Sequence, residues 1–172
     1  MGLDFLITSF IVVIAPGTGV LYTLAAGLTR GARASVIAAF GCTLGIVPHI
    51  VASLTGVAAI LNTSAVAFQT LKILGVCYLL YMAWTMLRNS GPLEVKDDLG
   101  PVSSRKIVTS AILINVLNPK LSIFFLAFLP QFISVEDSAP LATMMSLSLV
   151  FMAMTFAVFI VYGVFAAGIR QQ

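Results

Sequence analysis

The sequence predicts an all-α integral membrane protein, with five transmembrane helices in a single transmembrane domain over residues 1–172. Three observations carry that reading. Hydrophobic residues make up 60% of the 172 and charged residues only 9%, against about a quarter charged in a water-soluble domain. Mean hydropathy is +1.10. The apolar residues also gather into continuous runs of the length that crosses a hydrocarbon core of about 30 Å, which takes about 20 residues of helix. None of the runs alternates as barrel strands do.

The spans are predicted at residues 5–28, 35–61, 66–87, 107–129 and 141–168. Span one starts close to Met1. Met1 to Asp4 lack the positive start of a secretory signal and Pro16-Gly17 falls inside the run, so it is expected to be retained. The connections at 29–34, 62–65 and 130–140 are short. The long hydrophilic stretch, 88–106, contains Gly91-Pro92 and Gly100-Pro101, a turn-rich loop composition.

If the spans alternate in direction, Arg30, Arg33, Arg88, Lys96, Arg105, Lys106 and Arg170 fall on one side. The loops of the other side carry Asp4, Glu136 and Asp137 and no Lys or Arg. Cytoplasmic loops hold the excess of Lys and Arg. The expectation is a multi-pass protein of a bacterial inner membrane, with its N-terminus outside and loops 29–34 and 88–106 cytoplasmic. Cations placed beside spans, with no aromatic-interleaved basic patch, give the net charge of +3 no nucleic-acid reading.

Cys42 and Cys77 are isolated within apolar runs and read as small packing residues, without the spacing of a disulfide or metal pair. Six acids and one histidine form no nucleophile–base arrangement and no metal-ligand spacing, so no enzyme and no cofactor are expected. Pro16-Gly17-Thr18-Gly19 lacks the Gly-Lys-Ser/Thr ending of a phosphate-binding loop.

Two spans are broken near their middles. Span one carries Ala15-Pro16-Gly17-Thr18-Gly19, where proline removes a backbone hydrogen bond and the glycines loosen the chain. Span four carries Asn118-Pro119-Lys120. Ile7-Thr8-Ser9 precedes the first break and Val108-Thr109-Ser110 the second. The likeness suggests an internal repeat of three helices per half, with residues 1–87 as one half, 88–106 as the connecting loop and 107–172 as an incomplete second half. An odd number of spans inverts the second copy. Many secondary transporters bind substrate where inverted repeats present broken helices, because exposed backbone groups are tolerated only beside a cavity or inside protein. The plain alternative is that both prolines are packing kinks. The repeat calls for six spans, and the 172 residues supply five, so the chain is either a piece of a longer protein or lacks the sixth.

Lys120 is costly in hydrocarbon and such residues usually face an interior, where it would meet a substrate carboxylate; the alternative is snorkelling. Lys72, near the outer end of span three, is expected to snorkel. His49 follows Pro48 and is a proton-coupling candidate, since imidazoles titrate near neutrality, or else a hydrogen-bonded packing residue. Gly41-Cys42-Thr43-Leu44-Gly45 is a GxxxG, a close-approach face for a neighbouring helix, or chance in a glycine-rich chain.

Several of these stretches, in this order, resemble the lysine-exporter (LysE/RhtB-type) family of amino-acid translocators. They are Pro16-Gly17; Gly27-Leu28-Thr29-Arg30-Gly31; the GxxxG with His49 and Gly56; Leu71-Lys72 through Gly75 to Tyr78-Leu79-Leu80-Tyr81; and above all Leu117-Asn118-Pro119-Lys120 followed by Phe124-Phe125 and Leu129-Pro130-Gln131-Phe132. The resemblance covers nearly the whole chain. It implies a six-helix inner-membrane exporter of amino acids or their derivatives, driven by an ion gradient, with protons first in line. It also implies substrate handling by Pro16, Gly17, Thr18, Gly19, Asn118, Pro119 and Lys120. The family commonly continues Pro-Gly with a further Pro and often Asn, where this chain has Thr18 and Gly19. Partners are then a small-molecule amino acid, the lipid bilayer and, optionally, further copies of the chain. The rival reading is a truncated, non-transporting paralogue that serves as a membrane assembly or interaction partner.

Overall fold

In hydrocarbon a backbone amide or carbonyl has no water to turn to, so an apolar chain satisfies its backbone within helices. The computed structural model describes residues 2–88, 103–134 and 136–170, without the side chains of Leu61, Asn62, Thr63, Ala65, Met82, Met86, Leu87, Pro119 and Lys120. Among the described residues the chain forms no strand. Its elements are α1 (Leu3–Ile14), α2 (Thr18–Arg30), α3 (Ala32–Leu44), α4 (Val47–Thr63), α5 (Ala65–Arg88), α6 (Ser104–Val116), α7 (Pro119–Phe128), a 3-10 turn at Leu129–Phe132, and α8 (Pro140–Ile169).

Three stretches are long and apolar enough to cross a membrane alone: Ala32–Ile60, Val66–Thr85 and Pro140–Ile169. Two interrupted pairs, α1 with α2 and α6 with α7, raise the number to five if each pair is one span. α1 and α2 meet at 53° across Ala15–Gly17.

Three local features differ from the sequence expectation. The connection expected at 29–34 shrinks to Gly31, whose φ of 87° is in the left-handed region that glycine reaches without a Cβ clash; Thr29 and Arg30 end α2, and Ala32 starts α3. Ser104, Arg105 and Lys106, expected in the long loop, form the first turn of α6, where the Ser103 hydroxyl caps the Lys106 amide at 3.3 Å. Arg88 ends α5, and residues 89–102 of that loop lie outside the described residues. Span two, expected as one helix, is interrupted at Gly45–Ile46. Pro48 explains it: the ring has no N–H for the Leu44 carbonyl and crowds that turn.

The chain forms two compact units, and each draws on both ends of the sequence. The first holds α1, α2, α3, α6 and the part of α8 from Phe151 on; the second holds α4 from Pro48, α5, α7, the 3-10 turn and α8 up to Val150.

In the first unit, small residues set the packing. A Cβ added at Gly41 would stand 2.7 Å from the Ala111 Cβ, and one at Gly45 2.7 Å from the Asn115 Cβ. The GxxxG of α3 is therefore the face on which α6 rests, as membrane helices use small residues to approach closely. Gly27 of α2 is pressed likewise against the Gly163 carbonyl and Ala166 of α8, and Gly163 against Ser35 and Thr23. Ala26, Ala34, Ala38 and Ile107 form a buried cluster beside these contacts.

In the second unit, bulk replaces smallness. Phe68, Phe124, Phe125 and Phe128 are buried, and Phe124 stacks on Phe128 with centroids 4.9 Å apart. The Asp137 carboxylate accepts from the Ala139 amide and the Thr143 hydroxyl, both at 2.8 Å, and so fastens the start of α8.

Outward, Leu3, Val66, Ile73, Leu80, Val161 and Phe165 are exposed. In water that much exposed aliphatic surface would drive aggregation; against lipid it carries no such penalty.

Candidate functional site

The first interruption is built by three helix ends in the first unit. α1 closes with the Ala15 amide on the Ile11 carbonyl at 3.1 Å. Pro16 brings no N–H, and α2 restarts with the Leu21 amide on the Gly17 carbonyl at 3.0 Å. Gly17 is extended and has no side chain to cap the first amides of α2. Those amides carry the positive end of the helix dipole, which suits an anionic group such as a carboxylate. Pro16, Gly17 and Thr18 are exposed, and nothing lies within 4 Å of a Cβ built on Gly17. Gly19 is buried, and a Cβ there would meet Phe159 at 2.9 Å and the Asn115 amide nitrogen at 3.4 Å.

Asn115 is the residue that sequence reasoning missed. In α3 the Ile46 amide turns back to the Thr43 carbonyl at 3.1 Å, so the helix interruption at Gly45–Ile46 leaves the Cys42 carbonyl without its i+4 amide. The buried Asn115 side chain on α6 donates to that carbonyl at 2.7 Å. One amide thus joins the end of α3 to α6, and its nitrogen would stand 3.4 Å from a Cβ built on Gly19 of α2. The signal was available: Asn115 is a polar residue inside the apolar run 111–117, three positions before Asn118. Ser9, in the triplet noted before the first break, is fully buried on α1, with a hydroxyl lacking any hydrogen-bond partner among the described residues.

The second interruption leads into the other unit. α6 ends with the Leu117 amide on the Leu113 carbonyl at 2.9 Å, and α7 starts with the Leu121 amide on the Asn118 carbonyl at 3.1 Å. Pro119 is the first residue of α7, where a proline costs no hydrogen bond. The expected break at Asn118-Pro119-Lys120 is present in the backbone, while the side chains of Pro119 and Lys120 lie outside the described residues. His49 is brought to the same place. It is buried in the first turn of α4, its Nδ1 is 2.7 Å from the Ser122 hydroxyl, and Ser122 stands four residues after Asn118. One turn on, the Ser53 hydroxyl donates to the Phe125 carbonyl at 3.0 Å.

The candidate residues thus fall into two sets: Pro16, Gly17, Thr18 and Gly19 in the first unit, and Asn118, Pro119, Lys120 and His49 in the second. Lys72 finds its partner on another element. Its ammonium donates to the Ile133 carbonyl at 3.2 Å and lies 5.7 Å from the Phe68 ring centre, so it closes the end of the 3-10 turn. Gln131 returns a bond to the Lys72 carbonyl at 2.8 Å. Cys42 and Cys77 are both free thiols. Among the described residues no group of His, Cys, Asp and Glu could hold a metal ion.

Comparison with known proteins adds a family. The LysE type translocator family model matches residues 10–172. An uncharacterized membrane protein of Vibrio cholerae is 34% identical over 131 residues, covering 76% of this chain and 64% of that protein. A homoserine/homoserine lactone efflux protein of Salmonella typhimurium is 29% identical over 133 residues, covering 77% and 65%. A leucine efflux protein of an Enterobacter species is 28% identical over 165 residues, covering 90% and 76%. The chain thus spans just under two thirds of the length of the first two relatives. No solved structure matches.

Proposed function

The chain belongs to the LysE type translocator family, and from that premise we propose that it exports amino acids or close derivatives across the bacterial inner membrane, coupled to protons. The family is one of translocators and not of enzymes. Relatives named for efflux of homoserine, homoserine lactone and leucine support a substrate with amino-acid chemistry. The observation that carries the reading is the interruption of two apolar helix pairs, at Ala15–Gly17 and at Leu117–Asn118. An interrupted apolar helix offers backbone donors and acceptors to a polar solute in a place where hydrocarbon offers none.

In this proposal the first amides of α2, shaped by Pro16, Gly17, Thr18 and Gly19, and the residues Asn118, Pro119 and Lys120 handle the substrate, with the Lys120 ammonium meeting its carboxylate. His49, held against Ser122, exchanges the coupling proton. The two interrupted pairs occupy matching places in an inverted repeat of three helices per half, which calls for six spans. The N-terminus is outside, and loops 29–34 and 88–106 are cytoplasmic. The partners of the chain are the amino-acid substrate, the lipid bilayer and further copies of the chain in a homo-oligomer.

The test is export of labelled amino acids from cells that lack their own exporters. Lys120→Ala is expected to insert at the level of the parent and to lose export. Normal export by that variant at equal expression overturns the assigned role. His49→Gln is expected to retain substrate binding and to lose the dependence of export on an imposed pH gradient; export that still follows the gradient removes His49 from the coupling step.

A further inference from the structure

A second site lies in the first unit, away from the interruption. α3, α6 and α8 leave an open groove of about 530 Å³ between Val36, Ile37 and Phe40, the first turns of α6 and Phe156. Its two ends differ in chemistry. One end is aromatic: Phe40 and Phe156 meet edge-on with centroids 6.3 Å apart, and Phe40 is 49% exposed. The walls are Ile37 and Val108, and the other end is Arg105, in the first turn of α6. The Thr109 hydroxyl is spent on the Arg105 carbonyl at 2.8 Å, and the lining is almost wholly apolar, so the exposed Arg105 side chain is the charged group within reach of that end. It has no carboxylate partner among the described residues.

That end is also where the cations of the unit collect. Ile107 packs with Ala34 and Ala26, which sets the start of α6 beside the start of α3 and the end of α2. The Tyr22 hydroxyl ties α2 to the Ile107 carbonyl at 3.2 Å. The Arg170 guanidinium stands 3.2 Å from a Cβ built on Gly31, at the α2–α3 junction. Arg33, Arg105, Lys106 and Arg170 therefore share one end of the unit. Its carboxylate among the described residues, Asp4, sits at the start of α1.

We propose that this groove is a binding site for an acidic phospholipid, one acyl chain lying against Phe40, Val108 and Phe156 and the phosphate meeting Arg105. An apolar trough that ends at a guanidinium matches a molecule with a hydrocarbon tail and an anionic head. Clustered cations at the membrane surface attract acidic lipid, and Arg binds phosphate through its planar fork. A zwitterionic lipid fills the trough equally well and gains nothing from the charge.

The experiment uses the purified full chain in detergent, titrated with dioleoylphosphatidylglycerol or dioleoylphosphatidylcholine and read by native mass spectrometry and by thermal melting. Phosphatidylglycerol is expected to bind at least tenfold more tightly and to raise the melting temperature. Arg105→Gln is expected to remove that preference while leaving phosphatidylcholine binding unchanged. Arg88→Gln, which alters a cation of the other unit, is expected to change neither. Val108→Trp should fill the trough and abolish retention of both lipids; if it fails to fold, Ile37→Phe makes the same narrowing. Equal affinity for the two lipids, or an intact preference in Arg105→Gln, overturns the proposal. So does equal stabilisation by glycerol phosphate, which would mark a headgroup site without a tail. Binding is read without transport, so none of these outcomes bears on the export proposal.

Discussion

Asn115 shows how a single side chain decides a membrane helix junction. Replacing it with leucine would leave the Cys42 carbonyl, which now accepts at 2.7 Å, without a donor in a buried place. An orphaned buried acceptor costs about 1–3 kcal/mol. Asn115→Leu is expected to lower stability by that order, read by thermal melting in detergent, and an unchanged melting temperature would contradict the assigned role. Gly17 gives the opposite expectation. Its φ of −118° is open to any residue, and a Cβ there meets nothing within 4 Å. Gly17→Ala should shift stability by no more than about 0.5 kcal/mol, as surface changes do, so a loss of export in that variant would mark a site contact. At this scale the sequence showed residue types but no partners. Asn115 and Cys42 are 73 residues apart, as are His49 and Ser122, and no local pattern links positions so far separated. Lys72 and its carbonyl partner, at Ile133, are likewise 61 residues apart.

Helices and their interruptions were far more legible, because they depend on neighbours in sequence. The breaks at Pro16-Gly17 and Asn118-Pro119 are where proline and glycine chemistry puts them. The third, at Gly45–Ile46, follows from Pro48 by the same rule and was overlooked because the apolar run continues through it. The GxxxG of α3 was readable as a close-approach face, but α6 as its neighbour was not. Gly41→Val should overpack that contact, since even a Cβ would stand 2.7 Å from the Ala111 Cβ and 2.9 Å from the Val108 carbonyl. Overpacking of this kind costs about 1–3 kcal/mol. The expected reading is a lower melting temperature with helix content kept by circular dichroism; a full melting temperature would mean that α6 yields at no cost.

For the whole molecule the governing quantities are hydropathy and the placement of Lys and Arg. Both are sums over the chain and need no knowledge of contacts. They lead to the proposed orientation, which single-cysteine labelling checks in a background with Cys42 and Cys77 replaced by alanine. A cysteine at Ser138 is expected to react with a membrane-impermeant maleimide from outside intact cells, and one at Ser103 only after the cells are opened. The reverse pattern would overturn the orientation and place the cation cluster around Arg105 on the outer face.

The sequence by itself determined the solvent of this protein, its helical class, its two proline breaks and, through a series of motifs in order, its family. These properties are written in composition, spacing and local backbone chemistry. Only the tertiary structure decided that α3 rests on α6, that Asn115 holds the freed Cys42 carbonyl, that His49 stands at the head of α7 beside Ser122, and that Arg105 ends an apolar groove. Each of these joins residues tens of positions apart in sequence, and such pairings are fixed by close packing and by the need to satisfy buried polar groups.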